Sequence, residues 1–187
     1  MPAAVNIERW TGPPGAIVKT NISSLNTVAA AVDQHQSNAA TAINPIRIPS
    51  TGVSYSYWIW TTLNVSVSPS ARLNNFRWYT DGTNNLGTGK DCKAGWTTIY
   101  KQATGTVGSS GLPVMSDPVL GPTLTNNGSW ATAFDRTVSS NLLTGTNTAV
   151  TSTGPIPLFV LLQVEIDSTA EAGISPQENF TWVADET

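Results

Sequence analysis

The chain has 187 residues and a mass of 19.7 kDa, which suits one domain with a sizeable core. Only 11% of residues are charged, so Ser, Thr, Asn and Gln must supply the wet surfaces, which argues against a helical bundle with its Glu, Lys and Arg faces. A net charge of −3 and a pI near 4.9 leave no basic face for nucleic acid, and the longest apolar run, residues 155–162, is too short to cross a bilayer.

Residues 1–42 read as an extended arm with loops. Pro13-Pro14-Gly15 breaks any element, and Ile7, Trp10, Ile17 and Val18 are spread thinly among polar residues. Such a stretch buries little by itself and is expected to anchor on the body of the domain or on a neighbour, with at most one short helix or strand of its own. The opening residues lack a basic stretch followed by an apolar one, so a chain made in a cytoplasm and not exported by a cleaved signal is expected. The sequons at Asn21, Asn64, Asn127 and Asn179 are then chance in an Asn/Ser/Thr-rich chain.

Residues 43–187 read as the β-domain. Ile43–Ile48, bounded by prolines, is a short strand candidate. From Val53 to Val67 the odd positions are apolar or Thr and the even ones mostly Ser, Thr or Asn, a period of two that predicts one long strand with one apolar face. Trp58 and Trp60 stand on its polar face, as a second buried layer, a subunit contact or a ligand surface. A turn at Ser68–Ala71 leads to a strand over Leu73–Tyr79, and Asp81-Gly82 signals the next turn. Gly87–Gly95 reads as a glycine-rich loop, Trp96–Ala103 as a strand, residues 104–128 as a long excursion and Trp130–Val138 as a weaker strand. Leu158–Ile166 is apolar on both faces at its start, like a central strand. With Glu178–Ala184 it is expected to form an antiparallel hairpin. Six to eight strands and no long helix predict an all-β, antiparallel β-sandwich of jelly-roll or Greek-key type with an extended N-terminal arm.

Chemistry-bearing motifs fail on inspection. One His and one Cys do not supply a zinc site. The loop from Asp81 to Asp91 lacks the EF-hand glycine and terminal Glu. Its Gly-Lys is followed by Asp91 rather than Ser or Thr, so it is no phosphate loop. Asp33-Gln34-His35-Gln36-Ser37 holds triad residue types without evidence of triad geometry. Cys92 reads as a structural or incidental thiol. No cofactor, metal or catalytic residue is expected. From Thr137 onward the chain has six acids and no Lys or Arg, read as a solvated face or a contact for a basic partner. The seven Trp residues fit a core and permanent interfaces, or aromatic platforms for sugars.

The stretch Tyr55 to Gly89 and the ending Glu178 to Thr187 resemble a group of small structural proteins of tailed bacteriophages. The resemblance implies a capsid decoration (cement) protein on the virion surface. It would be non-enzymatic and would bridge subunits of the major capsid protein as a homo-oligomer, with symmetric closure favouring a trimer or a higher group. The expected contact residues are Ile7, Trp10, Ile17, Val18, Trp58 and Trp60. The alternative is a carbohydrate- or receptor-binding β-sandwich that uses Trp58, Trp60 or Trp96.

Overall fold

The computed structural model describes residues 2–103, 105–107, 113–115, 131–146 and 148–187, the pieces 105–107 and 113–115 as backbone strands. Among these residues the chain forms twelve strands: β1 Ala4–Thr11, β2 Val18–Asn21, β3 Val53–Tyr55, β4 Ile59–Val67, β5 Leu73–Tyr79, β6 Lys90–Thr97, β7 Gly105–Val107, β8 Pro113–Met115, β9 Ala131–Thr132, β10 Gly154–Pro155, β11 Phe159–Asp167 and β12 Thr181–Glu186. Helical structure among the described residues is two single 3₁₀ turns, Ala39–Thr41 and Ala133–Asp135.

Every pairing is antiparallel. The large sheet runs β2-β1-β4-β11-β6-β9. β3 leads into β4 along one side of β11, and β10 leads into β11 along β4. β12 and β5 form a second, two-stranded sheet, and β7 and β8 a third small ladder. The chain leaves the large sheet at β4, crosses to β5, returns at β6 and crosses again from β11 to β12. These cross-sheet connections, with non-sequential neighbours, are the habit of Greek-key and jelly-roll sandwiches. The fold is an all-β antiparallel sandwich, as the alternation in the sequence predicts.

The main core lies between the two sheets. Ile59, Leu63 and Val65 of β4, Cys92 and Ala94 of β6, and Leu158, Val160 and Leu162 meet Leu73, Phe76 and Trp78 of β5. Phe180 stacks on Trp78 at 5.4 Å, and Trp182 of β12 packs on the same core. A second core covers the other face of the large sheet, built from Trp10, Trp58, Trp60, Ala103, Phe159 and Leu161. β11 feeds both cores, which is why its sequence is apolar on both faces.

Several expectations are corrected. Val53–Val67 is not one strand: it breaks at Ser56-Tyr57-Trp58. The Ser56 hydroxyl accepts from the Val164 N–H at 2.9 Å, where a ladder carbonyl would normally serve, and the Tyr57 N–H turns away to the Ala30 carbonyl at 2.9 Å. The slip reverses the side-chain faces. Tyr55 and Tyr57 therefore join Trp58 and Trp60 in the second core, while Ile59 faces the first. Ile43–Ile48 forms no strand. Ile43 and Ile48 are exposed and Ile46 is only half-buried, and Pro45 and Pro49 remove donors that a ladder needs. The predicted loop Gly87–Gly95 is largely strand β6, whose Cys92, Ala94 and Trp96 alternate onto the main core between charged neighbours. The strand predicted over Trp96–Ala103 ends at Thr97. β11 and β12 are not a hairpin: β11 pairs with β3, β4 and β6, and β12 pairs with β5. The excursion at residues 104–128 lies outside the described residues apart from β7 and β8, as does Trp130, and the strand after it is only β9.

Residues 1–42 anchor on the body of the domain, one of the two anchors expected of them, and do so as sheet strands rather than as an extended arm. β1 is inserted between β2 and β4, in register from Val5↔Val65 to Trp10↔Trp60, with a register shift between Ala4 and Val5. Its alternation is hidden because Arg9 and Thr11 occupy buried positions. Residues 22–52 do wander without strands, but they are tied back onto the body.

Candidate functional site

The six expected contact residues fall in three kinds of place. Trp58 and Trp60 are 3% and 0% exposed, so neither presents a surface. Trp60 meets Tyr100 at 5.0 Å and Phe159 at 5.8 Å, both edge-on. Such pairs add about 0.5–1.5 kcal/mol beyond area burial. Trp10 joins them, 4.9 Å from Phe159, with the Lys19 ammonium 4.3 Å above its ring and its indole N–H donating to Glu8. Ile7 packs half-buried on the main core and Ile17 on the second. Only Val18 stands at the surface, 59% exposed.

Val18 opens β2, the outermost strand of the large sheet. Among the described residues β2 pairs only with β1, so its outer backbone edge is free. Leu25, 49% exposed, follows shortly after in the chain, and Ile43 and Ile48 are exposed on the same N-terminal stretch. β12 is a second open edge: its described residues pair only with β5. An open edge offers a row of N–H and C=O groups to another chain. These two edges, the first with Val18 on it and Leu25 soon after it in the chain, are the candidate interaction surfaces. Sequence reasoning found Val18 but not the edges, because edge position depends on pairings with residues far along the chain.

Most of the acids in the C-terminal segment are committed internally. Asp185 binds Arg77 at 2.6 Å. Glu186 accepts from the Ala3 N–H at 2.8 Å and from the Ser70 N–H and hydroxyl at 2.6 and 2.9 Å. Glu178 accepts from the Asn85 N–H, and Glu165 lies 3.8 Å from Lys93.

An open hollow of about 250 Å³ is lined by Val53, Gly89, Lys90, Asp91, Glu165 and Asp167. Burial alone would raise the Asp91 carboxyl, but bonds from Lys93, Thr132 and the Cys92 N–H outweigh it and hold the group below its ordinary range. Asp91 thus stays an anion, neutralised by Lys93 at 2.8 Å. Among the described residues no three His, Cys, Asp or Glu side chains converge as metal ligands. In the neighbouring turn, Asp81 caps the Thr83 N–H, and Asn84 bonds the Leu86 N–H and the Lys90 carbonyl. These side chains close the turn rather than face a ligand. The Cys92 thiol is buried, and burial and then Asp91 push its ionisation far up, the reverse of an activated nucleophile.

One polar cluster went unrecognised in the sequence. Arg9 is 1% exposed, with its guanidinium on the Val28 carbonyl at 3.4 Å and Asp33 as its countercharge. Burial lowers its pKa to about 10. Asp33 accepts from the Gly12 N–H at 2.8 Å, and the Tyr100 hydroxyl donates to the Gly12 carbonyl at 2.7 Å. His35 stands close enough to feel the Arg9 charge. The available signal was a lone Arg between Ile7 and Thr11 on one strand face. No helix among the described residues is long and apolar enough to cross a membrane. No family model, curated protein or solved structure matches this chain.

Proposed function

We propose that the chain is a non-enzymatic virion structural protein, a capsid decoration (cement) protein that binds the major capsid protein and bridges its subunits as a homo-oligomer, with a trimer favoured. The observation that carries this reading is the free β2 edge, with Val18 exposed on it and Leu25 exposed soon after it in the chain. Covering a Val and a Leu side chain stabilises a contact by about 1.5–3 kcal/mol each, and the edge adds directional backbone bonds. The resemblance of Tyr55–Gly89 and of the C-terminal residues to small tailed-phage structural proteins supplies the biological setting.

The carbohydrate-binding alternative needs an exposed aromatic face. Trp58 and Trp60 are buried and Trp96 packs on the main core, so no geometric observation favours it.

Mass spectrometry of purified particles tests the reading through copy number. A number matching the capsid lattice supports it, a tail-like number moves the protein to the tail, and absence from particles overturns it. Deleting residues 1–20 is a poor probe because it removes β1 from the sheet. The double variant V18D/L25D is the better one. It is expected to leave folding within about 0.5 kcal/mol while reducing occupancy on particles.

A further inference from the structure

We propose that residues 28–44 form an acid-released flap, docked on the sandwich through Arg9 and Asp33 and loosened when His35 takes a proton. The flap is closed on itself by the Val28 N–H to the Gln36 carbonyl, the Ala31 N–H to the Asn44 carbonyl, and the Gln36 side chain to both backbone groups of Ile43. Among the described residues it meets the body at few polar points, one of them a bond between the Gln102 side chain and Asp33. The Tyr57 N–H donates to the Ala30 carbonyl at 2.9 Å, Arg9 donates to the Val28 carbonyl at 3.4 Å, and the Gly12 N–H donates to Asp33 at 2.8 Å. The apolar contribution is mainly from Ala29, Ala30 and Ala31, whose small side chains bury little area. A segment held this way opens at low free-energy cost.

His35 is the single histidine of the chain, and His is the side chain whose ordinary titration falls between about pH 5 and 8. Both its ring nitrogens are shielded, and among the described residues neither has a hydrogen-bond partner. The charges that face it are Arg9 from β1 and, through Arg9, Asp33 of the flap itself. Tyr100 and Gln102, from the segment after β6, face Asp33. A proton on His35 places a second cation near buried Arg9, away from water. Burial, and then Arg9, therefore hold His35 below its ordinary value. The docked flap binds the proton less well than the released one. Docking is fully stable above about pH 6.5, the ordinary His value, and weakens as pH falls through that value towards the docked one. Asp33 acts in the opposite sense. Burial raises its carboxyl despite the Gly12 bond and Arg9, so its protonation favours the docked state and does not cause release.

The test is amide hydrogen exchange of Val28, Ala31 and Tyr57 at about pH 7.5 and about pH 5.5, corrected for intrinsic rates and referenced to the amides of β11. The wild-type flap amides are expected to exchange at least about threefold faster at the lower pH, and H35Q to show no such rise. A flat wild-type profile overturns the proposal. So does an undiminished rise in H35Q, or a rise lost in D33N but kept in H35Q. Direct NMR titration of the His35 ring in the wild type is independent of how the variants fold. A midpoint at or above the ordinary histidine value also overturns it.

Discussion

The Glu186 carboxylate accepts a hydrogen bond from the Ala3 backbone N–H at 2.8 Å, joining the last strand to the first across 183 positions of sequence. The same carboxylate takes two bonds from Ser70, at the turn between β4 and β5. One side chain therefore pins the large sheet, the small sheet and the turn that connects them. The bonds from Ala3 and then Ser70 hold its pKa below the ordinary value. The sign follows from linkage. The folded state binds the proton less well, so the clasp is present at neutral pH and is lost as pH falls below about 4.3 towards the folded value. E186A is expected to raise amide exchange at Ala3 and Ser70 at neutral pH without opening β11, and acid is expected to do the same to the wild type. Unchanged exchange at both amides would refute the clasp.

Trp60 is the centre of the second core, enclosed by Trp58, Tyr100 and Phe159. W60A removes one of the two largest fully buried side chains among the described residues and leaves a cavity between rigid aromatic neighbours. The expected loss is about 3–5 kcal/mol in the urea midpoint analysis, with W60F nearer the lower end. A loss below about 1 kcal/mol would mean that this face collapses freely.

Gly89 and Gly87 separate steric from conformational demand. Both have positive φ, +69° and +98°. A Cβ at Gly89 would lie 2.5 Å from the Ala170 nitrogen and from the Asp167 Oδ1, whereas one at Gly87 would meet nothing within 4 Å. G87A is expected to cost about 1 kcal/mol of backbone strain. G89A is expected to cost clearly more, and to disturb the bond from the Asp167 N–H to the Gly89 carbonyl at the end of β11. Equal thermal shifts for the two variants would contradict the close approach.

Cys92 is expected to resist thiol reagents in the native protein and to react only as the chain unfolds. Its sulfur is buried, and its thiolate is disfavoured by burial and by Asp91. Labelling that follows the denaturation curve is the predicted result, and rapid native labelling near neutral pH would contradict it.

The sequence by itself determined that the protein is built from strands. Alternation with few charges excludes amphipathic helices, and the double-sided apolar run from Leu158 to Leu162 marks a central strand before any partner is known. It also marked Trp58 and Trp60 as misfits on a polar face, and named a second buried layer among their three explanations. Only the tertiary structure decided which explanation holds. The slip at Ser56 reverses the side-chain parity, and that slip exists because Val164, more than a hundred positions away, uses the Ser56 hydroxyl as its acceptor. The same distance hid the role of residues 1–42. Thin apolar content looked like an arm, yet β1 gains its stability from partners in β4 and from a buried Arg9 whose countercharge lies in a later loop. Local pattern fixes which residues prefer extended backbone. Pairing, parity and the burial of charge are set by contacts between segments distant in sequence, and these decide which surfaces remain free for a partner.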